Sequence, residues 1–127
     1  MNDLKMPAED PWASQGTGFW LDLVPDIVER AKPFCVADPA SDLEVRAIFC
    51  EHLESQLGRA SVACEAHDAI PLRELGHSLQ GAGGTVGLAA MSVVGLELST
   101  AARAGDWARC RLIVERLRQW LDVARRG

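Results

Sequence analysis

The sequence predicts an all-α protein: an antiparallel four-helix bundle with an additional short N-terminal helix. Three observations carry this prediction. Apolar residues recur at three- and four-residue spacing in successive windows, and no segment keeps the strict alternation of a half-buried strand. Capping residues, Gly and Pro separate those windows by short intervals, which favours antiparallel neighbours. The composition, 48% hydrophobic and 24% charged over 127 residues, is ordinary for one globular domain with a real core.

The elements follow in order. Residues 1–16 mix Pro7, Pro11, Gly16 and polar side chains and read as a loosely ordered arm, with Trp12 tucked onto the body and the bundle spanning 17–127. Trp20, Leu23, Val24, Ile27 and Val28 form a first apolar segment, with a short helix that starts near Pro25, ends before Pro33 and caps one end of the bundle. The second helix opens on Ser41-Asp-Leu-Glu44, a capping-box pattern, and its stripe is Leu43, Cys50, Leu53, Leu57, Ala60 and Cys64. Asp68 caps the third helix, with Pro71 in its first turn, where a missing N–H costs little. The fourth spans about Ala89 to Ala104 with Met91, Val94, Leu98 and Ala101 inward. Gly105 is its C-cap, Asp106 is the N-cap of the fifth, and Trp107, Cys110, Val114, Leu117, Leu121 and Ala124 carry the last stripe. Trp12, Phe19, Trp20 and Phe34 read as one satellite aromatic cluster.

Several function classes are excluded. A net charge of −5 leaves no basic footprint for nucleic acid. No apolar run approaches the roughly 20 residues of a membrane span, and Met1 to Gln15 lacks the apolar core of a secretory signal, so a cytoplasmic location is expected. Cys35, Cys50, Cys64 and Cys110 contain no C-x-x-C pair and read as reduced thiols, three of them on core stripes. No metal site is expected, because zinc-type ligand pairs and inward Glu-x-x-His pairs are both missing.

The third helix is the informative one. Advancing about 100° per residue, Leu72, Leu75, Leu79, Ala82 and Val86 share one face, and His77 falls about 176° from its centre. Gly81 and Gly84 fall near His77 on the outward side. A solvated helix face seldom carries glycine, which costs about 1 kcal/mol relative to Ala. Their presence predicts clearance, so that a bulky partner reaches the imidazole along the helix surface. A neutral imidazole nitrogen is a nucleophile, while no hydroxyl or carboxylate partner is spaced for a hydrolytic triad.

The run His77-Ser-Leu-Gln-Gly81-Ala-Gly-Gly84-Thr-Val-Gly87, then Leu-Ala-Ala-Met-Ser, resembles the phosphoacceptor motif of histidine-containing phosphotransfer (HPt) domains. Glu97-Leu98, Ala101-Ala102 and Ala104-Gly105-Asp106 continue the resemblance, which runs from about Asp38 to Leu121. It implies a phosphorelay intermediate in which His77 accepts a phosphoryl group from a receiver-domain aspartate and passes it to, or back to, another receiver. The implied partners are response-regulator receiver domains or a hybrid sensor kinase. No cofactor is implied for this chain, Mg²⁺ belonging to the partner's acidic pocket, and with no nucleotide loop the chain is a carrier rather than an ATP-dependent kinase. By position Gly81 and Gly84 are the small residues that admit the receiver.

The family carries Lys three residues after the His, where this chain has Gln80, and Arg73 one turn earlier offers a replacement charge. Gln80 also motivates an alternative: a docking module of the same fold without transfer. His52 and His67 lack flanking glycines and read as solvated side chains, and the starting Met1 favours a free-standing chain over a segment of a larger kinase.

Overall fold

The computed structural model describes residues 10–126. They form a short helix α1 (Ile27–Ala31) and four long ones, α2 (Leu43–Ala66), α3 (Ala69–Ala82), α4 (Ala89–Ala104) and α5 (Trp107–Arg126), with 3-10 turns at Ala13–Trp20, Lys32–Phe34 and Gly84–Val86. The four long helices close into a ring in which α2 packs on α3 and α5, and α4 packs on α3 and α5. The all-α bundle expected from periodicity is thus the observed architecture, and the described residues contain no strand.

The helix boundaries are set by local chemistry. Asp68 accepts from the Ile70 N–H and Asp106 from the Arg109 N–H, satisfying donors that the first turns of α3 and α5 leave free. Gly105 ends α4 at φ 72°, a left-handed position that suits glycine. The start of α2 differs from expectation. Asp42, not Ser41, is the cap: its carboxylate accepts from the Val45 N–H at 2.9 Å. The helix therefore begins one residue later than the capping-box reading, and Leu43 points outward, 82% exposed, instead of joining the stripe.

The core runs through Leu53, Leu57, Leu72, Leu75, Leu79, Met91, Leu98, Ile113, Leu117 and Trp120, all 2% exposed or less. Helix α4 carries more burial than one inward stripe explains, since every residue from Ala89 to Gly95 is buried. On one side α3 approaches closely. A Cβ on Gly76 would stand 2.6 Å from the Gly95 carbonyl, and one on Gly95 would stand 2.7 Å from the Gln80 nitrogen, so the two helix backbones meet through glycine.

On its other side the N-terminal segment covers α4. That segment does not cap an end of the bundle. Pro11 O accepts from Trp120 Nε1, Phe19 O from Arg116 and Leu23 O from Arg109, so the chain runs antiparallel along α5. Packing begins at Pro11. Gln15, held in a run of left-handed residues from Ser14 to Gly16, accepts from the Ala89 N–H and so caps α4 at long range. Of the expected arm, Met1–Glu9 lies outside the described residues. The four aromatics do not form one cluster. Trp12 packs on Phe49 and Trp120, Phe19 lies beside Trp20, and Phe34 sits under Gly84.

Ion pairs pin the segment. Asp22 takes both Arg116 nitrogens at 2.7 Å, which holds its carboxyl below the ordinary value. Glu97 on α4 joins Arg30 of α1 at 2.8 Å and Arg109 of α5 at 3.1 Å. Arg118 and Arg125 of α5 reach across to Ser61 and Glu54 of α2.

Candidate functional site

His77 lies in the second half of α3, and its side of the helix is solvent-exposed while Leu72, Leu75 and Leu79 are buried. The helical phase read from the sequence therefore places the imidazole where it stands. Gly81 is exposed, and a Cβ added there would meet nothing within 4 Å. The space above His77 along the helix is open.

Gly84 is a correction. Helix α3 ends at Ala82 and a 3-10 segment starts at Gly84, where the strap Lys32–Phe34 covers the face that the helical phase leaves to solvent. Gly84 is buried, and a side chain there would overlap the Phe34 carbonyl oxygen. Its smallness admits the strap Lys32–Phe34 rather than a partner. Gly83 is similarly tight, with Ser92 N at 2.6 Å and Leu88 O at 2.7 Å from a built Cβ.

The end of α3 is held from α4. Ser92, fully buried, donates to the Gln80 carbonyl at 2.8 Å and accepts from the Gly84 N–H at 3.2 Å. Its hydroxyl is thereby satisfied on both counts, and it fixes the turn that follows the His77 helix. Gln80 is half-buried, one turn beyond His77.

Two grooves flank the imidazole's helix. The α3–α4 groove, about 520 Å³, is lined by Arg73, Glu74, His77 and Gln80 from α3 and by Ser99 and Arg103 from α4. Arg73 and Gln80 line this groove together with His77. Arg103 was not singled out from the sequence. Leu96, Ser99 or Thr100, and Arg103 recur at helical spacing on the outward face of α4, and only phasing that face against α3 finds them. The α2–α3 groove, about 190 Å³, is apolar and runs between Val45, Ile48 and Phe49 on α2 and Leu79 and Ala82 on α3. Ile48 is 61% exposed at its rim.

The remaining histidines stand elsewhere. His52 is exposed on the α2 side of the apolar groove. His67 ends α2 in the left-handed region and stacks on Trp107, ring centroids 4.9 Å apart. Among the described residues no group of three His, Cys, Asp or Glu is placed to hold a metal ion, and no helix is long and apolar enough to cross a membrane.

Comparison with curated proteins and comparison with solved structures each gave no match. The match to a family model is direct: residues 44–127 fit the Hpt domain, the phosphocarrier module of phosphorelays, which interacts with receiver domains of two-component systems. It covers well over half of the chain and takes in all four long helices except the first residue of α2, so the protein belongs to the Hpt domain family.

Proposed function

We propose that His77 is the phosphoacceptor of this Hpt domain, taking a phosphoryl group from a receiver aspartate and passing it to, or back to, a receiver. The observation that carries the reading is an exposed imidazole on a rigid helix with open space above it at Gly81. In the transfer a lone pair on a ring nitrogen forms the N–P bond. The P–O bond to the partner's aspartate breaks, and its electron pair leaves on the carboxylate. The chain contributes the nucleophile, its orientation and a docking face. The partner contributes Mg²⁺, which neutralises phosphoryl charge during the transfer.

The two grooves divide the docking face by chemistry: apolar Ile48 and Phe49 on one flank of α3, cationic Arg73 and Arg103 on the other. A receiver that brings an apolar helix beside an acidic pocket complements both flanks.

The test is transfer from a phosphorylated receiver carrying labelled phosphate. The parent chain is expected to acquire an acid-labile, base-stable adduct, and His77→Gln to lose it while melting at an unchanged temperature. Label that persists in His77→Gln, or resides on His52 or His67, refutes the assignment. Gln80, a neutral residue beside a phosphoryl site, favours a second reading in which the domain docks without transfer. The same mixing experiment separates the two, since a docking module binds the receiver and stays unlabelled.

A further inference from the structure

Among the described residues Ser92 is the one buried side chain that carries a hydroxyl, an amide or a charge. Its place in the fold gives the reason. In an α-helix each N–H donates to the carbonyl four residues earlier, and α3 keeps this pattern as far as Gly83, whose N–H reaches Leu79 O at 2.9 Å. The next bond of the ladder would join the Gly84 N–H to Gln80 O. Ser92 Oγ takes its place, accepting from Gly84 at 3.2 Å and donating to Gln80 O at 2.8 Å. A hydroxyl of α4 thus stands in the ladder of α3 as a wedge, one turn beyond His77, where the helix ends. Gly95, three residues further along α4, comes up against the same stretch of backbone: a Cβ on it would stand 2.7 Å from Gln80 N. Two residues on one face of α4 therefore fix the main chain at residue 80. Beyond the wedge the N-terminal segment holds the turn, since the Ala40 N–H donates to Thr85 O at 2.8 Å and Phe34 lies on Gly84.

We infer that Ser92 is a positioning residue for phosphotransfer: by wedging the end of α3 it sets where Gln80 and Gly81, and with them the platform a receiver meets, stand relative to His77. The inference rests on the phosphoacceptor reading of His77. The imidazole lies in the regular part of α3, before the wedge, so its reactivity toward a small phosphodonor does not depend on Ser92. Contact with a receiver does, because the open surface at Gly81 lies between His77 and the wedged bond. Without the hydroxyl, the Gln80 carbonyl and the Gly84 N–H lose their partner in a buried site, which costs more than the bond itself. Two routes relieve this: the ladder recloses, Gly84 on Gln80, and α3 lengthens, or the turn frays. Either one moves the face at Gly81.

The experiment separates the wedge from the acceptor. The rate of label transfer from a phosphorylated receiver is measured against receiver concentration, beside phosphorylation of His77 by phosphoramidate, which needs no docking. Ser92→Ala is expected to raise the half-saturating receiver concentration about three- to tenfold, the range of one neutral hydrogen bond, while the phosphoramidate rate stays at the parent's. Ser92→Cys keeps a weak donor and a weak acceptor and should fall between the two, and it carries the comparison if Ser92→Ala does not fold. Ile113→Val truncates the core in the first half of α5, at the end of the bundle away from this turn, and should lose stability with no change in half-saturation. A half-saturating concentration in the folded Ser92 variants equal to the parent's overturns the wedge and leaves the acceptor standing. So does a slowing shared equally by phosphoramidate, or one reproduced by Ile113→Val. Failure of His77 to take up phosphate from phosphoramidate in the parent overturns the acceptor reading itself, and the inference with it.

Discussion

At Gly81 a side chain would project into open space, whereas at Gly84, three residues on, it would strike the Phe34 backbone. The two substitutions should therefore part company. Gly81→Leu is expected to block receiver docking while leaving stability level or raising it by about 0.5–1 kcal/mol, since glycine in an exposed helix is unfavourable. Gly84→Ala should lower stability by about 1–3 kcal/mol, the usual range for overpacking a tight site. Thermal melts read beside a transfer assay check both. The helical phase locates His77 and Gly81 because α3 is regular through Ala82, and it misses Gly84 because the distant strap Lys32–Phe34 covers that position, a contact no local pattern shows. The cysteines were legible for a related reason. Cys50, Cys64 and Cys110 are buried and Cys35 is exposed, as stripe membership implies, and all four are free thiols. Burial pushes the Cys110 thiol up to about 11, so thiolate is scarce there at pH 8. One rapid and three slow reactions with a thiol reagent are expected in the native protein, and four rapid ones in denaturant.

Among the elements, α4 shows how tertiary context overrides a one-sided pattern. Its stripe of Met91, Val94, Leu98 and Ala101 was readable, but Ser92, Val93 and Gly95 are buried as well, because α3 and the N-terminal segment cover it from two sides. No local signal in α4 announces a neighbour some seventy residues away, such as Gln15 at its first N–H. Glu97 joins three elements at once. Burial alone would raise its carboxyl, but hydrogen bonds from Arg30 and Arg109 outweigh that and hold it below the ordinary 4.5. A depressed folded value means stabilisation that is present above the unfolded value and lost as pH falls through the folded one. Glu97→Gln should therefore be less stable than the parent at neutral pH, and the gap between their denaturation midpoints should close on acidification below about pH 4.5. A gap that stays constant from pH 7 to pH 3 would show that the pair contributes nothing through its charge.

For the molecule as a whole, helix count, order and the outward placement of His77 follow from periodicity and caps, because a bundle is specified mostly by contacts between chain neighbours. The parts that did not follow are relations between distant segments. The path of Pro11–Ala31 along α5 depends on backbone carbonyls of Pro11, Phe19 and Leu23 taking up Trp120, Arg116 and Arg109, and carbonyls leave no trace in a residue pattern. Arg103 was hidden likewise, since its significance lies in which helix stands opposite. Residues 11–31 lie along α4 and α5, whereas Trp12 also packs on Phe49 of α2 and Phe34 on Gly84 beyond the end of α3, so the N-terminal segment braces the bundle from more than one side.

The glycine contact between α3 and α4 also bears on the order in which the chain assembles. These two helices share the most intimate interface of the molecule, and only 83–88 separate them along the chain. A hairpin of such short loop closes at little entropic cost, so it is expected to be structured in the folding transition state, with the N-terminal segment docking afterwards. Gly95→Ala, which crowds that crossing, should then slow refolding. Ile27→Ala should cost about 2–5 kcal/mol and appear almost wholly as faster unfolding. Stopped-flow chevrons of the two variants would read this directly, and a slowed folding limb for Ile27→Ala would reverse the order. The phosphoacceptor helix would then be among the first parts of the chain to reach its final form.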